Sequence, residues 1–167
     1  MKPILFCDID GVINVPKNSH DNLVETNVKH LNGIPNWLHK GFHYRPQVAD
    51  FIQNINTEII WLTAWQKFAP PSLDSLFGIN SEGFLPWRHN FIQWFTDKQH
   101  FQKSVALNRW VENNPEKPFI WIDDYAVQFA DKYSFSKRED VLIIRPETRK
   151  GMTDEHISLM NSFVNSF

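Results

Sequence analysis

The chain has 167 residues, of which 42% are hydrophobic and 22% are charged, a composition typical of one globular domain with a sizeable core. With 17 Lys and Arg against 19 Asp and Glu, the formal net charge of -2 excludes a polybasic surface over the whole chain, although it allows a local basic patch. The single cysteine excludes internal disulfides and Cys-rich zinc sites, and no apolar run approaches the roughly 20 residues of a membrane span, so we expect a cytoplasmic protein.

Four short apolar segments alternate with segments of helical periodicity. The apolar segments are predicted strands, at residues 4–7, 59–62, 119–122 and 141–144. Because each is almost continuously apolar, we expect both faces of the sheet to be covered. Helices are predicted at 46–55, at 71–77, at 104–111, and after Thr153 as an N-cap. This alternation predicts an α/β fold with a mostly parallel sheet.

Two stretches interrupt the alternation. Residues 14–44 are polar and loop-like, and residues 78–102 are rich in aromatic and basic side chains. We therefore expect a single domain over residues 1–167, with small cap or loop insertions in these two windows. Within the second window, the aromatic and basic residues of 84–98 either pack locally or stack on and pair with a nucleotide.

Short polar residues follow three of the predicted strands. Asp8, Thr63 and Asp123 each come directly after an apolar segment. In open parallel sheets, ligands bind in the crevice outside the carboxyl ends of the strands, so these side chains can converge on one site. Asp10 lies two residues after Asp8 and can face the same side of an extended segment, while Gly11 permits a turn there.

The acidic residues of this crevice predict a divalent cation. Asp124 follows Asp123, so up to four carboxylates would surround the site, and Mg²⁺ is the usual occupant of carboxylate sites that handle phosphate. The sequence leaves open which of the two acids binds the metal directly. Lys103 is the candidate that offsets this charge, with Lys98 as the alternative. The chain has no P-loop, dinucleotide-binding or serine-hydrolase signature.

These elements resemble the motifs of the haloacid dehalogenase-like (HAD) phosphohydrolase superfamily. The apolar strand with DxDG at residues 4–12 is similar to its first motif, 59–63 to its second, Lys103 to its third and 119–124 to its fourth, in the same order. The strings WLTAW and WIDD are also similar to a compact branch that includes HAD domains found with bacterial RNA-repair proteins. The resemblance implies a Rossmann-like three-layer sandwich with a minimal cap or none.

The resemblance also implies roles for the motif residues. Asp8 would attack phosphorus and form an aspartyl-phosphate, and Asp10 would serve as general acid and then as general base. Thr63 would bind a phosphoryl oxygen, and Lys103 would neutralise the nucleophile and the phosphate. Mg²⁺ would be held by the Asp8 carboxylate, the Asp10 carbonyl and an acid of the fourth motif.

The substrate is the least constrained part of this interpretation. Gly11 and Ala64 are candidate substrate-binding positions, and Arg45 either recognises a substrate phosphate or forms a surface ion pair. A small cap leaves the crevice open, which favours a phosphorylated nucleotide or nucleic-acid end as the partner of a monomeric phosphatase. The alternative function is a non-catalytic or phosphoryl-accepting signalling module with an acidic Mg²⁺ pocket.

Overall fold

Short strands and helices alternate along the computed structural model, which describes residues 1–26, 41–87 and 97–167, the first three residues of the last range as backbone alone. The strands of the described residues are β1 (Ile4–Cys7), β2 (Val24–Thr26), β3 (Phe42–Tyr44), β4 (Glu58–Trp61), β5 (Phe119–Ile122) and β6 (Val141–Ile144). The helices are α1 (Pro46–Asn54), α2 (Ala69–Phe77), α3 (Asp97–Asn113) and α4 (Asp154–Val164), with 3-10 helices at Gln66–Phe68, Ala126–Lys132 and Ser134–Lys137.

The central sheet is parallel and has the strand order β4-β1-β5-β6. Strand β1 lies between β4 and β5, so Ile4 is paired with Glu58 on one side and with Phe119 on the other. The chain therefore leaves β1 toward one edge of the sheet and later returns to its other side. Ligands bind outside the carboxyl ends of strands at such a switch point. The predicted α/β fold with a mostly parallel sheet is confirmed.

Both faces of the sheet are covered, as the continuous apolar strands predicted. Leu5 and Cys7 of β1 pack in a core cluster with α1, α2 and α4. Ile4 and Phe6 point to the opposite face and pack with α3 and the two 3-10 helices that follow β5. All four residues of β1 are buried, so this strand is the centre of a three-layer sandwich.

Element boundaries differ from the prediction where polar residues belong to regular structure. Helix α3 begins at Asp97 rather than at 104, because its first turns are polar and carry no apolar stripe that sequence periodicity could detect. Strand β4 spans Glu58–Trp61, one residue earlier than predicted. The other predicted helices and strands lie within two residues of their observed positions.

Both predicted insertion windows contain regular structure within the described residues. In the first, β2 and β3 form an antiparallel pair. In the second, residues 83–85 run beside β4, since Trp61 donates to the Gly83 carbonyl (2.9 Å) and accepts from Leu85 (2.9 Å) through its backbone. Residues 27–40 of the first window and 88–96 of the second lie outside the described residues. No helix in the described ranges is long and apolar enough to cross a membrane.

Candidate active site

Two buried carboxylates lie side by side at the carboxyl edge of the sheet. Cys7 is paired with Ile122 at the ends of β1 and β5, so the residues that follow them are neighbours. The Asp8 amide extends the ladder by donating to the Ile122 carbonyl (3.0 Å), and the Asp123 amide donates to the Ile144 carbonyl (3.2 Å). Asp8 is 5% exposed and Asp123 is fully buried. Strand pairing therefore positions both carboxylates.

Lys103 of α3 connects these two carboxylates. Its Nζ donates to Asp8 Oδ2 (2.6 Å) and to Asp123 Oδ2 (2.9 Å), and the lysine is 2% exposed. Burial alone would lower the pKa of Lys103, but the charges of Asp123 and Asp8 outweigh it and hold this pKa above its ordinary value. The ammonium is therefore charged at neutral pH. The side chain of the alternative candidate, Lys98, lies outside the described residues.

Negative charge nevertheless exceeds positive charge in this cluster. Burial raises the pKa of Asp8 well above its usual range, Lys103 opposes this effect, and Asp123 and Asp124 reinforce it. Burial also raises the pKa of Asp124, which is reinforced by Asp123. Within this group one ammonium faces three carboxyl groups, so a bound cation would remove an electrostatic cost that the protein alone does not offset.

The same three acids form a candidate metal site. Asp8, Asp123 and Asp124 each offer an oxygen, and these oxygens lie within 4.8 Å of one another. The Asp10 carbonyl accepts no hydrogen bond from the described residues, so its lone pairs are also available. Carboxylate and carbonyl oxygens are the donors that Mg²⁺ and other hard divalent cations prefer. The residues present therefore fit the predicted Mg²⁺.

Gly11 is required by the close approach of Asp124. Its φ of 80° lies in the left-handed region. A Cβ at this position would lie 2.2 Å from Asp124 Oδ2 and 2.6 Å from its Cγ, so any side chain would displace the carboxylate. The predicted role of Gly11 in a turn thus extends to a contact between the first and fourth motifs, which sequence spacing could not reveal.

Asp10 lies apart from the buried carboxylates. Its side chain is exposed, and its two oxygens accept from Asn14 Nδ2 (2.8 Å) and from Trp65 Nε1 (2.8 Å). Trp65 is itself buried, so it fixes the orientation of the carboxylate. Sequence reasoning missed both donors. Asn14 lies in the turn after DxDG, and Trp65 is the last residue of the WLTAW string, where nothing in the sequence indicates a contact with Asp10.

Thr63 lies two residues beyond β4 and is buried. Its hydroxyl oxygen accepts from the Trp65 amide (3.3 Å), and its carbonyl accepts from Trp87 Nε1 (3.2 Å). The hydroxyl hydrogen therefore remains available to a ligand. The amides of Ile9, Asp10 and Ala64 donate no hydrogen bond within the described residues. Backbone amides without an intramolecular acceptor, at the ends of strands, are suited to bind an anion.

Arg45 makes its contacts elsewhere. Its guanidinium donates to the Met152 carbonyl (3.0 Å) and to Asp154 Oδ1 (2.8 Å), which joins the start of α1 to the start of α4. These contacts match the ion-pair alternative rather than a phosphate-binding role. Asp8, Lys103 and Asp123, in contrast, are in direct contact.

Comparison with known proteins identifies the chain over nearly its whole length. A family model described as the HAD domain in Swiss Army Knife RNA repair proteins matches residues 4–157. The matched range contains every residue of the site described above. No curated protein and no solved structure matches the chain.

Proposed function

Because this chain belongs to the family of HAD domains of Swiss Army Knife RNA repair proteins, we propose that it is a Mg²⁺-dependent phosphatase that uses Asp8 as its nucleophile. The observation that carries the proposal is the contact of Lys103 Nζ with both Asp8 (2.6 Å) and Asp123 (2.9 Å) at the carboxyl edge of the sheet. A buried ammonium between two carboxylates is costly as a structural device alone, and it suits a site that receives a phosphate.

The two oxygens of Asp8 have different surroundings. Lys103 binds Oδ2, whereas Oδ1 accepts no hydrogen bond from the described residues and is available to attack phosphorus. In the first step the new bond joins this oxygen to phosphorus while the bond to the leaving oxygen breaks. Burial raises the pKa of Asp8, and the ammonium of Lys103 opposes this effect, so it favours the ionised form that attacks phosphorus.

Asp10 is the proposed proton donor and acceptor. It gives its proton to the leaving oxygen in the first step and takes one from the attacking water in the second, which restores Asp8 and releases phosphate. Its exposure allows the leaving group and then water to reach it, and Trp65 and Asn14 hold its carboxylate in place.

The remaining donors are proposed to hold the phosphoryl group. The Thr63 hydroxyl and the unpaired amides of Ile9, Asp10 and Ala64 would bind its oxygens as negative charge develops on them. Asp8, Asp123, Asp124 and the Asp10 carbonyl would hold Mg²⁺, which supplies charge neutralisation for the transferring phosphate when bound.

The nucleophile is tested by Asp8→Asn. We expect turnover of an aryl phosphate to fall on the order of a thousandfold or more, because the amide cannot attack phosphorus. Asp131→Asn is the matched control, since Asp131 is exposed on the 3-10 helix after β5. Circular dichroism would verify that both variants fold. Activity equal to wild type in Asp8→Asn would refute the role of Asp8 as nucleophile. A stable phosphoryl group on wild-type Asp8 would indicate a signalling module instead of a phosphatase.

The metal site is tested by Asp123→Asn with Asp124→Asn. Ligand binding to the native state stabilises it by about 2.7 kcal/mol at a hundredfold excess over Kd, so saturating Mg²⁺ should raise the Tm of the wild type. In the double variant this rise and the Mg²⁺-dependent activity should both be lost. A double variant that kept the Mg²⁺-dependent rise in Tm would contradict the site.

For the substrate, we propose a phosphate on a nucleotide or a nucleic-acid end, received by a single domain over residues 1–167 that acts as a monomer. The support is the family's occurrence in RNA repair proteins. The test compares 5′- and 3′-phosphorylated oligonucleotides, mononucleotides, sugar phosphates and phosphopeptides by kcat/KM. This substrate class would be refuted if kcat/KM for sugar phosphates were about tenfold or more above that for every nucleotide substrate. Such a ratio corresponds to a difference of about 1.4 kcal/mol in transition-state binding.

A further inference from the structure

A groove of about 770 Å³ lies between helix α3 and the segment formed by residues 85–87. Its walls include Trp87 from that segment and Gln102, Arg109, Trp110 and Asn113 from α3. Val105 and Ala106 fill the interval between Gln102 and Arg109, so the lining residues of α3 recur every three or four positions and form one continuous surface. The volume lies within the range of roughly 300–1,000 Å³ typical of ligand pockets.

Two wall residues of this groove adjoin residues of the candidate active site. Its wall residue Trp87 donates from Nε1 to the carbonyl of Thr63 (3.2 Å), the residue proposed to bind phosphate. On the other wall, Gln102 directly precedes Lys103, whose Nζ contacts Asp8. The groove therefore lies next to the residues proposed to hold the reacting phosphate and extends along α3.

The groove offers a positive charge and an aromatic surface. Arg109 is exposed, and no acidic side chain in the described part of the chain forms an ion pair with it. Trp110 is half-buried and is held from the core side by the rings of Phe6 (centroids 4.8 Å apart, 72° between planes) and Phe119 (6.3 Å, 80°). An aromatic ring fixed in this way beside an unpaired guanidinium is a suitable surface for a base and its backbone phosphate.

From these observations we infer that the groove binds the nucleotides next to the terminal phosphate of a single-stranded nucleic acid. A base stacks on Trp110 and a backbone phosphate pairs with Arg109. The Gln102 amide and the amide oxygen of Asn113, whose Nδ2 donates to the Arg109 carbonyl (2.8 Å), reach base or sugar edges. The inference rests on the proposed phosphatase function, and it adds a binding site for the strand. Arg109 follows Lys103 by six residues, about 9 Å along the helix axis, so it contacts the strand beyond the reacting phosphate.

The test uses Arg109→Gln, with Lys137→Gln as the matched control. Lys137 is exposed on a 3-10 helix outside the groove, and its substitution removes the same positive charge. We expect Arg109→Gln to lower the ratio of kcat/KM for a phosphorylated oligonucleotide to kcat/KM for an aryl phosphate by about tenfold. Lys137→Gln should keep the wild-type ratio. Oligonucleotides phosphorylated at the 5′ and at the 3′ end are measured separately.

Binding is measured independently of turnover in the Asp8→Asn background. A fluorescein-labelled, single-stranded oligonucleotide with a terminal phosphate should bind about tenfold more weakly when Arg109→Gln is added. The slope of log K against log salt should fall by about 0.7, as expected for one lost phosphate contact on a single strand. Failure of the wild type to hydrolyse any phosphomonoester would refute the phosphatase function, whereas this binding assay would still test the groove.

Two results would overturn the inference. The first is equal binding and an equal kcat/KM ratio for Arg109→Gln and Lys137→Gln. The second is a dimer of the wild type, seen by sedimentation velocity, that Arg109→Gln converts into a monomer, because the groove would then be occupied by a second copy of the chain.

Discussion

Replacing Lys103 with methionine removes the positive charge from the buried carboxylates while keeping a side chain of similar length. The wild-type ammonium makes two contacts, at 2.6 Å to Asp8 and at 2.9 Å to Asp123, and the side chains of all three residues are at most 6% exposed. Removing one partner of a buried ion pair costs about 3–5 kcal/mol. Because Asp8 can take up a proton in the variant, we expect the lower part of this range, about 3 kcal/mol at pH 7.5.

The pH dependence follows from the direction of the Asp8 pKa. This pKa is already raised by burial, and removal of Lys103 raises it further. A carboxyl group whose pKa is higher in the folded than in the unfolded state lowers the free energy of unfolding most at pH values above its folded pKa. This stability is regained as the pH falls toward the pKa of the unfolded state, about 3.9. Lys103→Met should therefore recover stability, relative to wild type, between pH 7.5 and pH 5.

Urea unfolding followed by circular dichroism measures both effects, with Lys137→Met as the control. Lys137 is exposed, so its substitution should change the free energy of unfolding by no more than about 0.5 kcal/mol. Saturating Mg²⁺ should also reduce the loss in Lys103→Met, since a cation would replace part of the missing charge. Equal stability of Lys103→Met and wild type at pH 7.5 would refute the view that Lys103 offsets the repulsion among the acids.

Two further substitutions test the site and the helix that follows it. Gly11→Ala places a Cβ against Asp124 and should abolish the Mg²⁺-dependent rise in Tm. Gly78→Ala is the control and should retain this rise, because Gly78 has a similar φ of 64° but a Cβ added there would have no atom within 4 Å. His156 accepts a hydrogen bond from the Thr153 amide at the start of α4, and burial lowers the pKa of its imidazole. Because the unfolded state therefore takes up a proton at higher pH than the folded state, the free energy of unfolding should fall as the pH drops below about 6.5. His156→Gln keeps a capping acceptor and should remove this part of the pH dependence in urea unfolding; an unchanged dependence would contradict the role of His156.

The parallel sheet could be predicted because its strands are nearly pure apolar runs. Residues 4–7, 119–122 and 141–144 are strands with the predicted limits. The first two are buried throughout and the third is largely half-buried, so none of them contains a polar position. The start of α3 could not be predicted in the same way. Its first two turns contain one apolar residue, Phe101, and helical periodicity is visible only where several apolar residues of one face recur.

The candidate site was predictable as a set of residues but not as a set of contacts. Placing short polar residues after parallel strands identified Asp8 and Asp123, and their adjacency follows from the pairing of β1 with β5. The contact between Gly11 and Asp124 and the donation from Trp65 to Asp10 depend on how loops fold back over the sheet edge. Neither spacing nor residue type specifies such packing.

The arrangement of the acids links the stability of this protein to its proposed activity. Asp8, Asp123 and Asp124 repel one another in a buried position, and Lys103 offsets only part of that repulsion. Neutralising Asp124, which forms no ion pair with Lys103, should therefore make the metal-free protein more stable, and the same substitution would remove a proposed metal ligand. Local destabilisation that folding does not require is typical of functional sites. We therefore expect this carboxylate cluster to be kept because binding a cation and a phosphate compensates for the loss of stability that its repulsion causes.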